Sequence, residues 1–175
     1  MSAPIEIVDY DPLWPEKFAE ERERLVGAIG HWLRGAIEHV GSTAVPGLRA
    51  KPVIDIMAGV ESLPASREAI AVVGRMGYQY WPYKSDVMHW FCKPSNELRT
   101  HHLHLVPVDS PLWRERLAFR DRLRVDASAS ADYAALKDAL ATRYRDDREA
   151  YTEGKADFVR RIVALEMQQP SRAPG

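Results

Sequence analysis

Residues 39–60 read HVGSTAVPGLRAKPVIDIMAGV, and this stretch decides the expected fold. Gly41-Ser42 ends one predicted strand, and a loop rich in Gly, Pro and basic residues follows. A second, mostly buried strand is predicted from the apolar, β-branched run PVIDIMAGV. Asp55 lies inside that run, where a carboxylate that faces the core is unfavourable without a partner. This carboxylate therefore needs either a structural partner or a functional role.

Hydrophobic periodicity on both sides of this stretch predicts a helix, a mixed sheet and then a helical end. Gly77 is well placed to end one helix, and Ser110 with Pro111 to begin another. The predicted elements are a helix over Trp14–Leu33, strands over Ala36–Val40 and Pro52–Val60, a helix over Ser66–Met76, strands over Tyr78–Tyr83, Met88–Cys92 and Leu98–Val106, and C-terminal helices with a break near Asp146.

We expect the 175 residues to form one domain, because they can bury one sizeable core and no linker or repeat divides them. The core is expected over about residues 8–166, with residues 167–175 as a frayed tail. A net charge of −1 makes nucleic acid an unlikely partner. A single cysteine, Cys92, and the lack of a long apolar run predict a cytoplasmic protein that does not span a membrane.

Gly41, Ser42 and Thr43 are candidate phosphate-binding residues. A glycine lets the backbone approach a ligand closely, and a hydroxyl with the N–H groups that follow can hold a phosphate. A carboxylate on the neighbouring strand, Asp55, can hold a divalent cation beside that phosphate. Nucleotidyl transfer needs this pairing of loop and metal. The structural alternative for the Gly-Ser pair is an ordinary tight turn.

The segment THHLHLV offers two further metal ligands. On a strand, His102 and His104 point to one face, whereas His101 and Leu103 point to the other. With Asp55 from an adjacent strand, the first two would form a two-histidine, one-carboxylate set that suits iron, manganese or zinc more than magnesium. The alternative is that these histidines only form hydrogen bonds with their neighbours.

Basic residues near the predicted loop are candidate phosphate contacts. Arg49, Lys51 and Arg99 offer the donors and the charge that phosphate needs, with solvation at the surface as the alternative for each. Lys51 precedes Pro52 and is therefore held in an extended loop. A structural ion pair of Asp55 with Arg49, Lys51 or a histidine is the alternative to a functional carboxylate.

The sequence resembles the GrpB family, a group related to the nucleotidyltransferase superfamily. The resemblance runs from about Val8 to Val159 and is carried by VDYDPLWPEKF, EHVGSTAVPGLRAKPVIDI, RTHHLHLV, LAFRDRLR, YAALK and YTEGKADFV. The second of these segments is long and specific. In the last, Tyr151 and Lys155 lie four residues apart on a predicted helix and can close the site from the C-terminal side.

The resemblance implies a minimal nucleotidyltransferase-like fold of the α+β class, with a small mixed β-sheet flanked by helices and a helical C-terminal region. Gly41-Ser42 and Asp55 match the Gly-Ser pair and the first acidic position of the superfamily. The superfamily has a second acidic residue two positions later, and here that position is Met57. A methionine cannot bind magnesium.

The leading hypothesis is a nucleotidyltransferase-like protein that binds a nucleotide or another phosphorylated small molecule. Asp55, His102 and His104 are its predicted catalytic and metal-binding residues, and magnesium, manganese or zinc is the expected cofactor. Relatives of this domain also occur fused to dephospho-CoA kinase, which implies an alternative: a non-catalytic interaction or folding-helper module with a protein partner. A metal-dependent phosphohydrolase that uses the same three residues is the second alternative.

Overall fold

A computed structural model describes residues 4–168, and it confirms the α+β class and the small mixed sheet. Its elements in chain order are helix α1 (Trp14–Ile29), strands β1 (Leu33–Val40) and β2 (Ile54–Val60), helix α2 (Ala69–Arg75), strands β3 (Gln79–Trp81), β4 (His89–Pro94) and β5 (Arg99–Pro107), and helices α3 (Pro111–Val125), α4 (Ala127–Arg143), α5 (Arg148–Glu153) and α6 (Ala156–Met167).

The five strands lie in the order β1-β2-β5-β4-β3. The central pair, β2 and β5, is parallel, and every other neighbouring pair is antiparallel. A parallel pair needs a long connection, and here α2, β3 and β4 supply it. Because β2 is an interior strand and helices pack on both sides of the sheet, both of its faces are covered. This position explains why the strand sequence is an almost continuous apolar run.

One face of the sheet packs against α1 and α2. Ile56 of β2 and Leu103 and Leu105 of β5 are fully buried there, with Leu25 of α1 and Val73 of α2. Side chains at alternate strand positions point to the opposite face. Asp55 of β2 and His102 and His104 of β5 therefore share the second face of the sheet.

The second face packs against α3 and the helices that follow it. Met57 and Val106 of the central strands contact Trp113 of α3 in one cluster. Another cluster joins the loop that precedes β2 to the helical region and consists of Val45, Leu48, Phe119, Leu123, Ala129, Tyr133, Phe158, Ile162 and Val163. The C-terminal helices thus hold the loop at residues 41–50 against the end of the sheet.

Several elements end earlier in the structure than the sequence predicts. The first helix ends at Ile29 instead of Leu33, since residues 30–32 form a 3-10 turn and Leu33 begins β1. The strand predicted over Tyr78–Tyr83 has only three residues, and residues 81–87 are exposed. The predicted break near Asp146 is confirmed, but the helical segment after it is interrupted again between α5 and α6.

Two predicted helix ends have the expected geometry. The Ser110 hydroxyl accepts a hydrogen bond from the Trp113 backbone N–H at 3.3 Å, and Gly77 has a φ of 90°. Of the predicted tail, residues 169–175 lie outside the described residues, and Met167 is the last residue of α6. Across residues 4–168, none of the helices combines the length and the apolar character that crossing a bilayer requires.

Candidate functional site

Asp55, His102 and His104 meet on the second face of the sheet. Asp55 lies beside His102 in the parallel β2–β5 ladder, and His104 is two residues further along the same face. His102 Nδ1 lies 2.8 Å from Asp55 Oδ1, and His104 Nε2 lies 3.7 Å from it. One ligand-type atom from each residue lies within 4.8 Å of the other two. The structure thus brings together the three residues that the strand pattern singled out.

Asp55 is a carboxylate anion at neutral pH. Burial favours the neutral acid, but the hydrogen bond with His102 and the neighbouring His104 outweigh burial and hold the pKa of Asp55 well below its usual value. The Asp55 side chain is 29% exposed. A ligand can therefore reach a carboxylate that is already ionised.

His104 presents an electron-rich nitrogen to this carboxylate. Burial, and to a smaller extent the charge of Arg116, lowers the pKa of His104 to about 3, so its ring is neutral at pH 7. His104 Nδ1 lies 3.4 Å from Met88 Sδ, which assigns the ring proton to Nδ1 and leaves the lone pair on Nε2. Within the described residues this Nε2 atom is buried without a hydrogen-bond partner. A cation between Nε2 and Asp55 would satisfy both atoms.

The spacing of these donors fits a divalent metal. Metal–ligand bonds of about 2.1 Å separate neighbouring ligand atoms by about 3.0 to 3.4 Å, depending on the coordination geometry. The 3.7 Å from His104 Nε2 to Asp55 Oδ1 lies just above that range, and the 2.8 Å from His102 Nδ1, a hydrogen bond in this structure, lies just below it. His102 likewise has a buried Nε2 atom for which residues 4–168 supply no hydrogen-bond partner. The donor set of two imidazoles and one carboxylate suits zinc, manganese or ferrous iron better than magnesium.

Gly41 makes room for the Asp55 carboxylate. Its backbone has φ 72° and ψ −170°, a region that essentially only glycine adopts. A Cβ atom at this position would lie 2.6 Å from Asp55 Oδ2. The 3-10 turn Ser42–Ala44 begins directly after Gly41, and Ser42 interacts with the buried Tyr133 of α4. The predicted Gly-Ser pair therefore lies against the predicted carboxylate.

Thr43 has a structural role in this turn. Its side chain is 1% exposed, and its hydroxyl oxygen lies 2.9 Å from His39 Nε2. The same hydroxyl donates to the Val53 carbonyl at 3.3 Å. These contacts fix the turn against the start of β2, and burial keeps the Thr43 hydroxyl away from a ligand at the surface.

Lys51 and Lys155 lie near Asp55 around the ring of Tyr151. Their Nζ atoms are 5.5 and 4.2 Å from the ring centroid, and Tyr151 is buried. Neither lysine has a hydrogen bond or an ion pair with any other described residue. Burial lowers the pKa of both lysines, that of Lys155 to about 8, while the Asp55 charge acts in the opposite direction. Two adjacent lysines without carboxylate partners form a candidate anion site.

Arg99 lies next to Trp90, an aromatic residue that adjoins His102. Its guanidinium is 5.0 Å from the ring of Trp90, and that ring is 5.2 Å from the ring of His102. Arg99 Nε donates to the Asn96 carbonyl at 3.1 Å, and Nη2 donates to the Asn96 side chain. Part of the guanidinium is therefore engaged by the β4–β5 turn.

Arg49 is engaged elsewhere. Its guanidinium forms ion pairs with Asp9 at 2.9 Å and with Asp138 at 2.6 Å. Arg49 is therefore neither the partner of Asp55 nor available as the phosphate contact that the sequence suggested. Of the three structural partners considered for Asp55, the structure selects a histidine, His102.

Sequence reasoning missed three arginines on α3 that are spaced by four residues: Arg116, Arg120 and Arg124. Arg120 Nη1 donates to Glu38 Oε2 at 2.6 Å, and Arg124 Nε donates to the Ala44 carbonyl at 2.9 Å. These bonds fix the end of β1 and the turn after Gly41. The spacing in LWRERLAFRDRLR was the available signal, since residues four apart share a helix face.

The position of a second strand carboxylate is taken by Met57, which is fully buried. Its neighbour across the β1–β2 ladder is Glu38, and the Glu38 carboxylate is paired with Arg120 at 2.6 Å. Among residues 4–168, the candidate metal set therefore contains one carboxylate, that of Asp55.

Comparison with known proteins gives a consistent set of relatives. The family model described as GrpB protein matches residues 4–165. The UPF0157 protein PA4798 of Pseudomonas aeruginosa is 42% identical over 91% of this chain and 66% of its own length. The glutamate-rich protein GrpB of Alkalihalophilus pseudofirmus is 34% identical over 90% of this chain and 92% of its own length.

A solved structure has the same fold. The crystal structure of the conserved protein GrpB from Enterococcus faecalis superposes with a TM-score of 0.84, at 30% identity, over 93% of this chain and 98% of that one. Some relatives are longer: a dephospho-CoA kinase of Mycolicibacterium paratuberculosis is 32% identical over 90% of this chain but only 45% of its own length. The chain spans just under two thirds of the Pseudomonas relative and less than half of this kinase.

Proposed function

This chain belongs to the GrpB family, and on that premise we propose that it binds a nucleotide or another phosphorylated small molecule through a divalent metal. The metal is held by Asp55, His102 and His104. One observation carries the proposal: Lys51 and Lys155 lie near this donor set with no hydrogen-bonding or ion-pairing partner among residues 4–168. A phosphate bound to the metal would supply the negative charge that the two lysines lack.

Each part of the site has a separate role in this proposal. The metal neutralises a phosphate and orients it, and Lys51 and Lys155 bind its remaining oxygens. The turn that begins at Ser42 offers a hydroxyl and backbone N–H groups to the same ligand. Gly41 keeps this turn close to the carboxylate. The reaction that suits this arrangement best is a metal-dependent attack on a phosphorus atom, in which the acceptor is a hydroxyl group for nucleotidyl transfer or water for hydrolysis.

Thermal unfolding tests the proposal. We expect nucleoside triphosphates with manganese or zinc to raise the melting temperature of the wild type, because a ligand that binds only the folded state stabilises it. Neither Asp55→Ala nor Lys155→Met should respond in the same way. A nearby surface variant, Lys84→Met, should behave as the wild type, since Lys84 lies in the exposed 81–87 loop. If no triphosphate shifts the wild type with any metal, the nucleotide proposal is wrong.

The second candidate is a non-catalytic interaction or folding-helper module. Two observations favour it: Met57 stands where a second carboxylate would support two-metal chemistry, and a domain like this one forms part of a dephospho-CoA kinase. In this case the Asp55–His102 contact is purely structural. Replacement of Asp55 by alanine would then destabilise the metal-free protein by about 3 kcal/mol. A metal-ligand role predicts little loss of stability in the absence of metal.

A further inference from the structure

Arg116 is a cation for which the fold provides no partner among the described residues. It lies on α3 with a partly buried side chain. Residues 4–168 offer its guanidinium neither a hydrogen bond nor an ion pair. Burial lowers the pKa of Arg116, while the charges of Asp55, Tyr83 and Glu115 oppose that effect. A partly buried guanidinium that no residue of the fold engages is a suitable position for an anion from outside the chain.

The surroundings of Arg116 differ from those of the two lysines. Arg116 lies on α3 between Trp113, which packs with Met57 and Met88, and Arg120, which donates to the His39 carbonyl at 3.1 Å. His104 contacts the same Met88 at 3.4 Å, whereas Lys51 and Lys155 lie around the Tyr151 ring. All three cations interact with the same carboxylate, Asp55. Positive charge therefore reaches Asp55 from two places: from α3 beside His104, and from the loop before β2 together with the start of α6.

The charge balance supports a ligand with more than one negative group. Lys51, Lys155 and Arg116 carry three positive charges, whereas Asp55 and the exposed Glu115 supply two negative ones, which leaves an excess of positive charge even before a divalent metal binds. A guanidinium is a planar fork of donors that matches a phosphate or a carboxylate. A single phosphate beside the lysines would leave this fork unused.

Tyr83 is a solvent-exposed residue near Arg116. Its side chain is 48% exposed in the 81–87 loop, and its ring lies 6.1 Å from that of Trp90. Tyr83 also interacts with Arg116. Its hydroxyl can donate to an anion that Arg116 binds.

We propose that Arg116 forms a second anion-binding position beside His104. The ligand of this site then carries two linked anionic groups, a phosphate held by the metal with Lys51 and Lys155, and a phosphate or a carboxylate held by Arg116. This inference rests on the proposed function, because it specifies the ligand of the same metal site.

The experiment compares one anion with two linked anions. Isothermal titration measures inorganic phosphate, pyrophosphate and phosphonoacetate with manganese in excess over the probe, and again without metal. The proteins are the wild type, Arg116→Gln, and Arg114→Gln as a control from the exposed side of the same helix. Arg116→Lys, which keeps the charge but loses the planar fork, serves as a second variant if the glutamine variant fails to fold.

We expect pyrophosphate or phosphonoacetate to bind the wild type at least about tenfold more tightly than phosphate, because charge-assisted hydrogen bonds to Arg116 are added. Arg116→Gln should remove this advantage and leave phosphate affinity unchanged, and Arg116→Lys should keep part of it. Arg114→Gln should match the wild type. The better of the two probes identifies the second group as a phosphate or a carboxylate.

Two results would overturn the inference while leaving the proposed function intact. In one, phosphate binds the wild type as tightly as both linked probes. In the other, Arg116→Gln weakens all three probes by the same factor. A different result, in which no probe binds the wild type with or without metal, would reject the proposed function together with the inference.

Discussion

A Cβ atom on Gly41 would lie 2.6 Å from Asp55 Oδ2 and 3.1 Å from Asp55 Cβ. The lack of a side chain on the glycine after β1 leaves the space that the Asp55 carboxylate of β2 occupies. Rotation of the short Asp55 side chain cannot relieve this overlap, since its Cβ atom is also close. The Gly-Ser turn and the carboxylate therefore form one unit.

Replacement of Gly41 by alanine should destabilise the protein by about 3 kcal/mol, from a backbone conformation unfavourable to alanine and from the overlap with Asp55. Gly47→Ala is the control, because Gly47 has φ 78° but a Cβ atom there would meet nothing within 4 Å beyond its chain neighbours. It should cost only about 1 kcal/mol. Urea denaturation measures both values. Equal losses for the two variants would mean that Asp55 does not constrain position 41.

Replacement of His104 by leucine should leave the metal-free protein as stable as the wild type or more stable. The ring is buried, its Nε2 atom has no hydrogen-bond partner among residues 4–168, and leucine removes that unpaired group. The same variant should lose any thermal shift caused by manganese or zinc. Differential scanning calorimetry with metal and with a chelator measures both effects.

His89→Leu is the matched control for this histidine. His89 is also buried and has an Nδ1 atom without a hydrogen-bond partner among residues 4–168, but its Nε2 atom contacts the Leu63 carbonyl at 3.0 Å, a stronger bond than the contact of His104 with Met88. It pairs with Leu105 on the core face of the sheet. We expect this variant to lose about 1 kcal/mol of stability and to keep the full metal response. A metal response that disappears in His89→Leu but persists in His104→Leu would contradict the site assignment.

Lys137 should make stability depend on pH in the alkaline range. Its side chain is 1% exposed, its Nζ donates to the Arg49 carbonyl, and burial lowers its pKa from 10.5 to about 7. Between these two values the unfolded chain binds more protons than the folded one, so stability rises with pH, by up to about 1.4 kcal/mol per pH unit from this group.

Denaturant unfolding between pH 7.5 and 9.5 isolates this contribution when the wild type is compared with Lys137→Met. The wild type should gain stability over this range more steeply than the variant, in which the titrating group is missing. Parallel pH profiles for the two proteins would show that Lys137 keeps its ordinary pKa in the folded state.

Replacement of Arg120 should destabilise the end of β1, which Arg120 holds next to the site. The Arg120 side chain bonds to Glu38 at 2.6 Å and to the His39 carbonyl at 3.1 Å, and it is mostly buried. We expect Arg120→Met to cost about 2 kcal/mol of stability, since Glu38 and the carbonyl lose a charged donor. Arg114→Met, an exposed change on the same helix, should stay within about 0.5 kcal/mol of the wild type. Equal unfolding midpoints for the two variants would exclude the supporting role of Arg120.

The strand pattern was sufficient to predict how Asp55, His102 and His104 converge. Alternation along β5 places the two histidines on one face, and an apolar run with one carboxylate identifies the buried neighbour strand. The four-residue spacing also anticipated that Lys155 and Tyr151 lie together, with Nζ 4.2 Å from the ring centroid, although a helix break falls between them. Local periodicity contains enough information for these relations.

Other parts of the site could not be predicted from the sequence. Arg49 and Arg116 both lie among charged neighbours, and the sequence gives no sign that one is ion-paired while the other has no partner among residues 4–168. The four-residue spacing on α3 groups Arg116 with Arg120 and Arg124, but it does not show that Arg116 alone of the three lacks a partner among residues 4–168. Their roles depend on where α3 and α4 pack, which is a long-range property of the fold.

The sequence by itself determined the α+β class, the order of the main elements, and the residues on each face of the central strands. These features follow from periods of 2 and 3.6 residues and from local capping and turn chemistry. Only the tertiary structure decided that Asp55 is held by His102, that Thr43 is occupied inside the fold, and that Arg116 has no hydrogen-bond or ion-pair partner among the described residues. Such contacts join residues far apart in the chain, and local conformational preference does not specify them.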